Sequence, residues 1–309
     1  MQTLCGKSLL IDSKTVTFRI YFRIITINQH TTMNKFTTIG NAVKETGLSY
    51  LGAVAQSAKL MHSQKYSHQY TYSFYLAPAE TSGYNVCSHS TPECRLGCLA
   101  TSGHAGMEII AGKTTRIKDS RIKKVKLFYE NPEYFINWMI AEIRKYQAKA
   151  KKDNFYFSVR LNATSDIDWQ NVLISGQTIF QMFPEIQFYD YTKNANKFVG
   201  KASNYHLTYS YTGKNWHLCE SLLKRGENIA MVFDVKNESE LPAMYKGYKV
   251  INGDLTDYRI ADAKGIIVGL KWKHIADKVA EKQILNSVFV VKPTDSNCTY
   301  ENVLVAEMV

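Results

Sequence analysis

Proline and cysteine are both scarce, six of each in 309 residues, and charged residues make up only 21%. With 45% hydrophobic residues, so little proline argues against a collagenous, low-complexity or disordered chain. Six cysteines are too few to staple a chain of this length, which argues against a disulfide scaffold. Long apolar runs are missing as well: nothing approaches the roughly 18 uninterrupted apolar residues of a membrane-spanning helix. The most apolar early run, Phe18 to Ile27, is broken by Arg19 and Arg23 and lacks the small-residue cleavage site of a signal peptide. A soluble, cytoplasmic globular protein is therefore expected, large enough for one sizeable α/β unit or two smaller domains.

Acidic residues are outnumbered, 27 against 38 basic, and the resulting charge of +11 is local. Residues 1–32 carry +3, residues 33–100 carry +2, residues 101–152 carry +7 and residues 153–309 carry −1. Lys113, Arg116, Lys118, Arg121, Lys123, Lys124 and Lys126 form the basic block, and spacings of three and four place several on one helical face. Lys113, Arg116, Arg121, Lys123 and Lys124 are candidates for phosphate contacts, which would give salt-dependent and largely sequence-independent binding to nucleic acid. One or two of them would equally grip a small anionic ligand, and a solvated helix face explains the same pattern with no partner at all.

Residues 1–32 show no clear turn chemistry and read as an N-terminal extension; a single β/α domain is expected over 33–292, with a tail at 293–309. Apolar spacing predicts a helix over 47–62 and an aromatic strand over 70–76. A basic, mostly helical stretch follows at 105–130, and Asn131-Pro132-Glu133 opens another helix with a capping Asn and a proline in the first position. Strands are expected at 155–162, 186–192, 205–211, 229–234, 248–251 and 265–271, alternating with helices near 168–182, 194–202, 215–225, 238–245 and 274–284. That alternation predicts a parallel sheet with crossover helices, an open or partial (β/α) barrel preceded by a helical segment. Ser158, Arg160 and Asn162 share one face of their strand, as do His206, Thr208 and Ser210 of another. One polar face suggests a lined cavity, because a sheet covered on both sides reads as continuously hydrophobic.

The strongest local pattern is Cys87-x6-Cys94-x3-Cys98, in a cysteine loop at 77–104 directly after the first strand. Three thiolates suit an iron–sulfur cluster such as [4Fe-4S] with one position open. With His89 or His104 as a fourth ligand they suit a closed zinc site, and uncoordinated or redox-active thiols remain a third reading.

The stretches TSGYNVCSHSTPECRLGCLATSGHAG (81–106), SVRLNATSDIDW (158–169), FPEIQFYDYTK (183–193) and NYHLTYS (204–210) resemble a family of uncharacterised phage and mobile-element proteins related to the gene-product-88-like phage proteins. The resemblance spans about residues 45–292, implies a phage-associated protein in a bacterial host cell, and brings no established activity. A weaker resemblance is to radical S-adenosylmethionine enzymes, which also carry a three-cysteine loop after the first strand of a partial β/α barrel. It implies an iron–sulfur cluster on Cys87, Cys94 and Cys98, S-adenosylmethionine as cofactor and a close cofactor approach at Gly269. The spacing here departs from that family's x3-x2 pattern, and Gly97 stands where an aromatic residue is usual.

Strand ends supply the remaining candidates, since ligands in β/α folds bind outside the carboxyl ends of strands. Asn162, Ser165 and Asp166 are expected to bind a ligand, although Ser165 with Asp168 also fits a helix cap. Asp190, Tyr191 and Lys193 are candidates for proton transfer. His206 and Ser210 lie on the polar face of their strand. Asn252, Asp254 and Asp257 suit ribose hydroxyls or a cation, or simply a turn. Cys219, with Trp216 and Leu223 on an apolar stripe, is expected to be inert core. Neither substrate nor oligomeric state is legible.

Overall fold

A computed structural model describes residues 35–54, 57–98, 116–275 and 277–300. The chain divides at 35/36 into two units, and the second, 36–309, contains everything described below. The N-terminal extension, His104 and Lys113 of the expectations above lie outside the described residues.

Helices begin and end where side chains can satisfy the free backbone groups. In α1 (Ile39–Thr46) the Thr38 hydroxyl accepts from Asn41 N, and Gly47 closes the helix in the left-handed region at φ 67°. Helix α2 (Ala58–Ser67) leads into strand β1 (Gln69–Ser73). After the cysteine loop with its short helix α3 (Pro92–Leu96) come α4 (Arg116–Glu130) and α5 (Pro132–Asp153). Helix α5 starts as expected: Asn131 accepts from Tyr134 N, with Pro132 in the first turn.

Strands β2 (Tyr156–Arg160), β3 (Gln187–Thr192), β4 (Tyr205–Ser210) and β5 (Asn228–Phe233) follow, separated by α6 (Ile179–Met182) and α7 (Trp216–Lys224). The chain then adds β6 (Met244–Tyr245), β7 (Tyr248–Asn252), β8 (Ile267–Lys271), α8 (Lys278–Leu285), β9 (Val290–Val291) and β10 (Cys298–Thr299). The fold is mixed α/β around one sheet in the order β1-β2-β3-β4-β5-β8-β7-β6-β10, with β9 beside β5. From β1 to β7 every pairing is parallel; β6 and β10 join antiparallel.

Three expected helices are reduced. Residues 194–202 contain a single 3-10 turn, Ala195–Phe198, because the Asn194 side chain takes Asn196 N into a tight local turn. Residues 238–245 hold another, Glu238–Glu240, followed by Pro242 and strand β6. Residues 168–182 hold a 3-10 turn at Trp169–Asn171 and the one-turn α6. Of the helix expected over 47–62, only 58–62 is helical, as the start of α2, and 47–54 are not helical; α1 precedes the expected span.

Alternation along the strands gives the sheet two unlike faces. One packs against helices: Tyr72, Phe74, Val159, Phe188, Leu207, Ile229 and Met231 are buried in the main core, with Phe135, Trp138 and Ile143 of α5. The other, called the inner face below, carries Thr71, Ser73, Ser158, Arg160, Tyr189, Tyr191, His206, Thr208 and Ser210. The segment 253–263 leaves the carboxyl end of β7 and crosses this face before entering β8. Its crossing starts at Gly253, where a Cβ would lie 2.3 Å from Val268 Cγ1 and 2.9 Å from Leu270 Cδ2. Only glycine lets the backbone pass so close. The expected lined cavity is therefore covered by the chain itself: Thr71, Ser73, Ser158 and Thr208 are all 2% exposed or less.

Candidate metal centre and polar inner face

The parallel pairing from β1 to β7 brings the carboxyl ends of these strands to one edge, where the three cysteines meet. Cys87 N is held by Asn85 Oδ1 at 2.8 Å, and its Sγ stands 3.9 Å from the Thr164 carbonyl beyond β2. Asp166 N donates to the Val86 carbonyl at 2.8 Å, tying the loop to the β2 end. Cys94 lies in α3, whose first turn is set by Thr91 Oγ1 accepting from Cys94 N at 3.2 Å. Arg95 fastens the loop to itself through Ser90 Oγ and Glu80. Cys94 also packs against the second apolar cluster, formed by Trp272, Ile284 and Val290 among others, so the loop spans the edge from β2 to β8.

The three thiols lie near enough to act on one another. Burial pushes the Cys87 thiol up to about 12, and Asp166, Cys98 and Cys94 add to the shift. Lys193, at the end of β3, faces Cys94; burial opposes its charge, yet Cys94 and Asp166 hold its pKa above the ordinary lysine value. Arg121 of α4 approaches from the other side, 5.3 Å from the Tyr75 ring and within the field of Cys98, with burial lowering its pKa. Among the described residues, no group of three His, Cys, Asp or Glu side chains could hold a metal ion as placed.

On the inner face, Arg160 pairs with Asp257 and lies 5.0 Å above the Tyr191 ring. Burial works against the Asp257 carboxylate, but Arg160, Lys59 and Arg259 together hold it below the usual range. Tyr258 meets Tyr189 edge-on at 6.1 Å. Arg259 is 1% exposed and reaches the Thr256 carbonyl at 2.6 Å and Asp262 at 3.2 Å. Lys59 of α2 pairs with Asp254 at 2.7 Å, and Ser63 meets Thr256 at 2.7 Å, so α2 anchors the covering segment.

The family model described as gene product 88 matches residues 40–291. The chain belongs to this family. Gene product 88 is a phage-protein family whose description carries no activity. No curated protein and no solved structure matched the chain.

This gene product 88 chain distributes its sequence-picked residues between the two faces. Asp190 points to the helix side, away from Tyr191 and Lys193, so the three do not converge. Its Oδ1 accepts from Asn162 N at 2.7 Å and its Oδ2 from Tyr205 OH at 2.9 Å, and burial raises its pKa to about 6. Asn162 is spent internally: its side chain bonds Ile167 N, the Ile167 carbonyl and Ser165 Oγ. Ser165 thus steadies Asn162 and does not cap a helix. Asp166 pairs with the buried Lys197 at 2.5 Å and accepts from Thr192 Oγ1 and Lys193 N.

His206, Thr208 and Ser210 do line the inner face; burial lowers the His206 pKa to about 4. The room beside Gly269 goes to Val250 Cγ1 and Leu241 Cδ2, 2.8 and 3.2 Å from a Cβ built there. His89 is exposed and bonded to Ser88. Cys219 is fully buried core.

The basic helix splits in the same way. Lys124 is 4% exposed, donating to the Leu51 carbonyl at 2.6 Å beside Glu142, and Arg121 turns toward Tyr75. That leaves Arg116, Lys123 and Lys126 exposed. The apolar positions Val125 and Phe128 bury the α4 face that includes Lys124. Among the described residues, no helix is long and apolar enough to cross a membrane.

Sequence reasoning passed over Arg259 and Asp262. Their one signal was a lone arginine between acids in the apolar-flanked run 257–262.

Proposed function

We propose that Cys87, Cys94 and Cys98 hold an iron–sulfur cluster at the carboxyl edge of the sheet, and that the protein is a radical-S-adenosylmethionine-like enzyme acting on a small polar ligand bound over the inner face. The observation that carries this reading is that three thiols and the Lys193 ammonium lie within one another's field at the carboxyl edge of a sheet with a buried polar face. The donor set fits. Thiols sharing one tetrahedral zinc at about 2.3 Å per bond must stand roughly 3.8 Å apart, whereas thiols on separate irons of a cluster stand wider. Cys94 and Cys98 act on Cys87 electrostatically, and as placed the described thiols form no metal-holding group, so cluster uptake would draw them together. Lys193 and Arg121 supply positive charge beside them, which offsets a thiolate-bound cluster.

A cluster with an open iron position supplies one-electron chemistry and a place for a chelating cofactor such as S-adenosylmethionine. The chain's own part is positioning: Lys193 orients Cys94, Tyr75 and Arg121 wall the edge, and Arg160 with Tyr191 presents a charged, water-poor floor to a polar ligand. An open sheet curled as a partial β/α barrel is the architecture this reading assumes.

Anaerobic reconstitution with iron and sulfide tests it. Visible charge-transfer absorption and a paramagnetic signal on reduction, altered by S-adenosylmethionine, are expected. Uptake of zinc alone would overturn the cluster, and an unaltered signal would remove the cofactor.

A further inference from the structure

Seven buried polar atoms without a hydrogen-bond partner belong to the inner face or to the segment covering it: Ser73 Oγ, Arg160 Nε, His206 Nε2, Thr208 Oγ1, Arg259 Nε and Nη1, and Asp262 Oδ2. Buried polar atoms are nearly always paired, so a cluster of exceptions calls for a cause. Arg259 is the sharpest case. At 1% exposure it keeps only the Thr256 carbonyl as a hydrogen-bond acceptor; Asp262 Oδ2 lies 3.2 Å from Nη1 but too far off line to bond. Leaving a guanidinium dry and half-satisfied is costly.

The two arginines look onto common ground. Both act on Asp257 and on Tyr191, and Arg160 stands beside Ser73 in the β1–β2 register. Thr208 lies two strands beyond Arg160, on β4 opposite Tyr191 of β3. The unmet positions are mostly donors: three guanidinium N–H groups and two hydroxyls that can turn either way. Burial also pushes the Asp262 carboxyl toward its protonated form, which leaves Asp257, paired with Arg160, as the covering segment's counter-charge to two arginines.

We propose that the inner face holds a buried binding site for a small oxyanion, a carboxylate or phosphate group, with Arg259 and Arg160 as its principal donors and the Thr208 hydroxyl beside them. A neutral or cationic ligand would leave the guanidinium groups unmet. Planar, charge-assisted bonds to an oxyanion meet them. Segment 253–263 must lift for the ligand to enter, because it covers Arg259. The proposal deepens the preceding reading by naming the charge class of the ligand, and it rests on that reading only for the ligand's part in a reaction; binding itself needs no metal centre.

Calorimetric titration of the full-length protein with inorganic phosphate, and separately with succinate, tests the site, with sodium chloride as the ionic-strength control. At least one oxyanion should bind saturably, and the one that does identifies the group recognised. Arg259→Gln should weaken it about tenfold or more, and Thr208→Val about threefold, as expected for losing a charge-assisted and a neutral hydrogen bond. Absence of binding by both oxyanions would overturn the proposal and assign the orphaned atoms to water, as would undiminished binding by a folded Arg259→Gln protein. Should that variant not fold, Thr208→Val decides by the same criterion. Iron content and the titration, both run on Cys94→Ala, separate the two readings: binding retained without metal keeps this site and says nothing for the cluster.

Discussion

The helix-packed face and the inner face of the sheet carry polar groups in comparable depth but treat them differently. On the helix side, buried ionisable groups are enclosed by partners. Glu142 accepts from Leu51 N, Gly52 N and Tyr72 OH at 3.1, 2.9 and 2.8 Å. Asp190 is similarly surrounded by Asn162 and Tyr205. On the inner side the ionisable Arg259 and His206 keep unmet atoms at similar depth, as do the Thr208 and Ser73 hydroxyls, whereas on the helix side the unmet atoms include the neutral indole N–H groups of Trp138 and Trp169. Satisfied networks specify a fold. Unsatisfied ones, gathered on the inner face of a parallel sheet, are where the proposed oxyanion would be held.

The sharpest way to break that contrast is Glu142→Ala. It strands three donors and the buried Lys124, so urea unfolding should show a loss of about 3–5 kcal/mol, the range for breaking a buried charged network. A loss below about 1 kcal/mol would mean the helix side is not the load-carrying polar face.

Asp190 comes next. Its folded pKa of about 6 lies above the usual carboxylate value because burial disfavours the anion. Between about pH 4 and 6 the folded state therefore binds more protons than the unfolded one, and stability falls as pH rises through this window. Asp190→Asn should remove that slope while metal content stays unchanged; a lost metal centre would return Asp190 to the site.

A matched pair sharpens the comparison further. Tyr205→Phe removes a donor from a buried carboxylate and should cost about 1–3 kcal/mol, whereas Thr208→Val deletes a hydroxyl without a partner and should cost close to nothing in the ligand-free protein. Equal costs would erase the distinction between the faces. Smallest of all, Lys123→Glu on the exposed side of α4 should change stability by less than about 0.5 kcal/mol. Salt-sensitive retention of DNA that this substitution abolishes would bring nucleic acid back as a partner.

Much of this was legible in the residues. Aromatic and β-branched runs marked the long strands, Asn131-Pro132 marked the start of α5, and the cysteine spacing marked the edge. The failure at Asp190, Tyr191 and Lys193 was avoidable: neighbours on a strand point to opposite faces, so an acid and the phenol beside it cannot converge. Other features were not legible. Nothing in the pattern of β8 says that it inserts between β5 and β7, since the choice of neighbour is tertiary. Lys124 reads as one more surface lysine until Glu142, eighteen residues on in sequence, is folded against it. Arg259 sits in a segment that looks like a surface loop, and only the close passage at Gly253 brings it under the sheet.

The most direct test of the account is the iron and sulfide content of anaerobically purified protein, wild type against Cys94→Ala. The account predicts iron with matching sulfide in the wild type and its loss in the variant, with the fold retained by circular dichroism. Zinc without sulfide in the wild type, or iron retained undiminished in the variant, would contradict it.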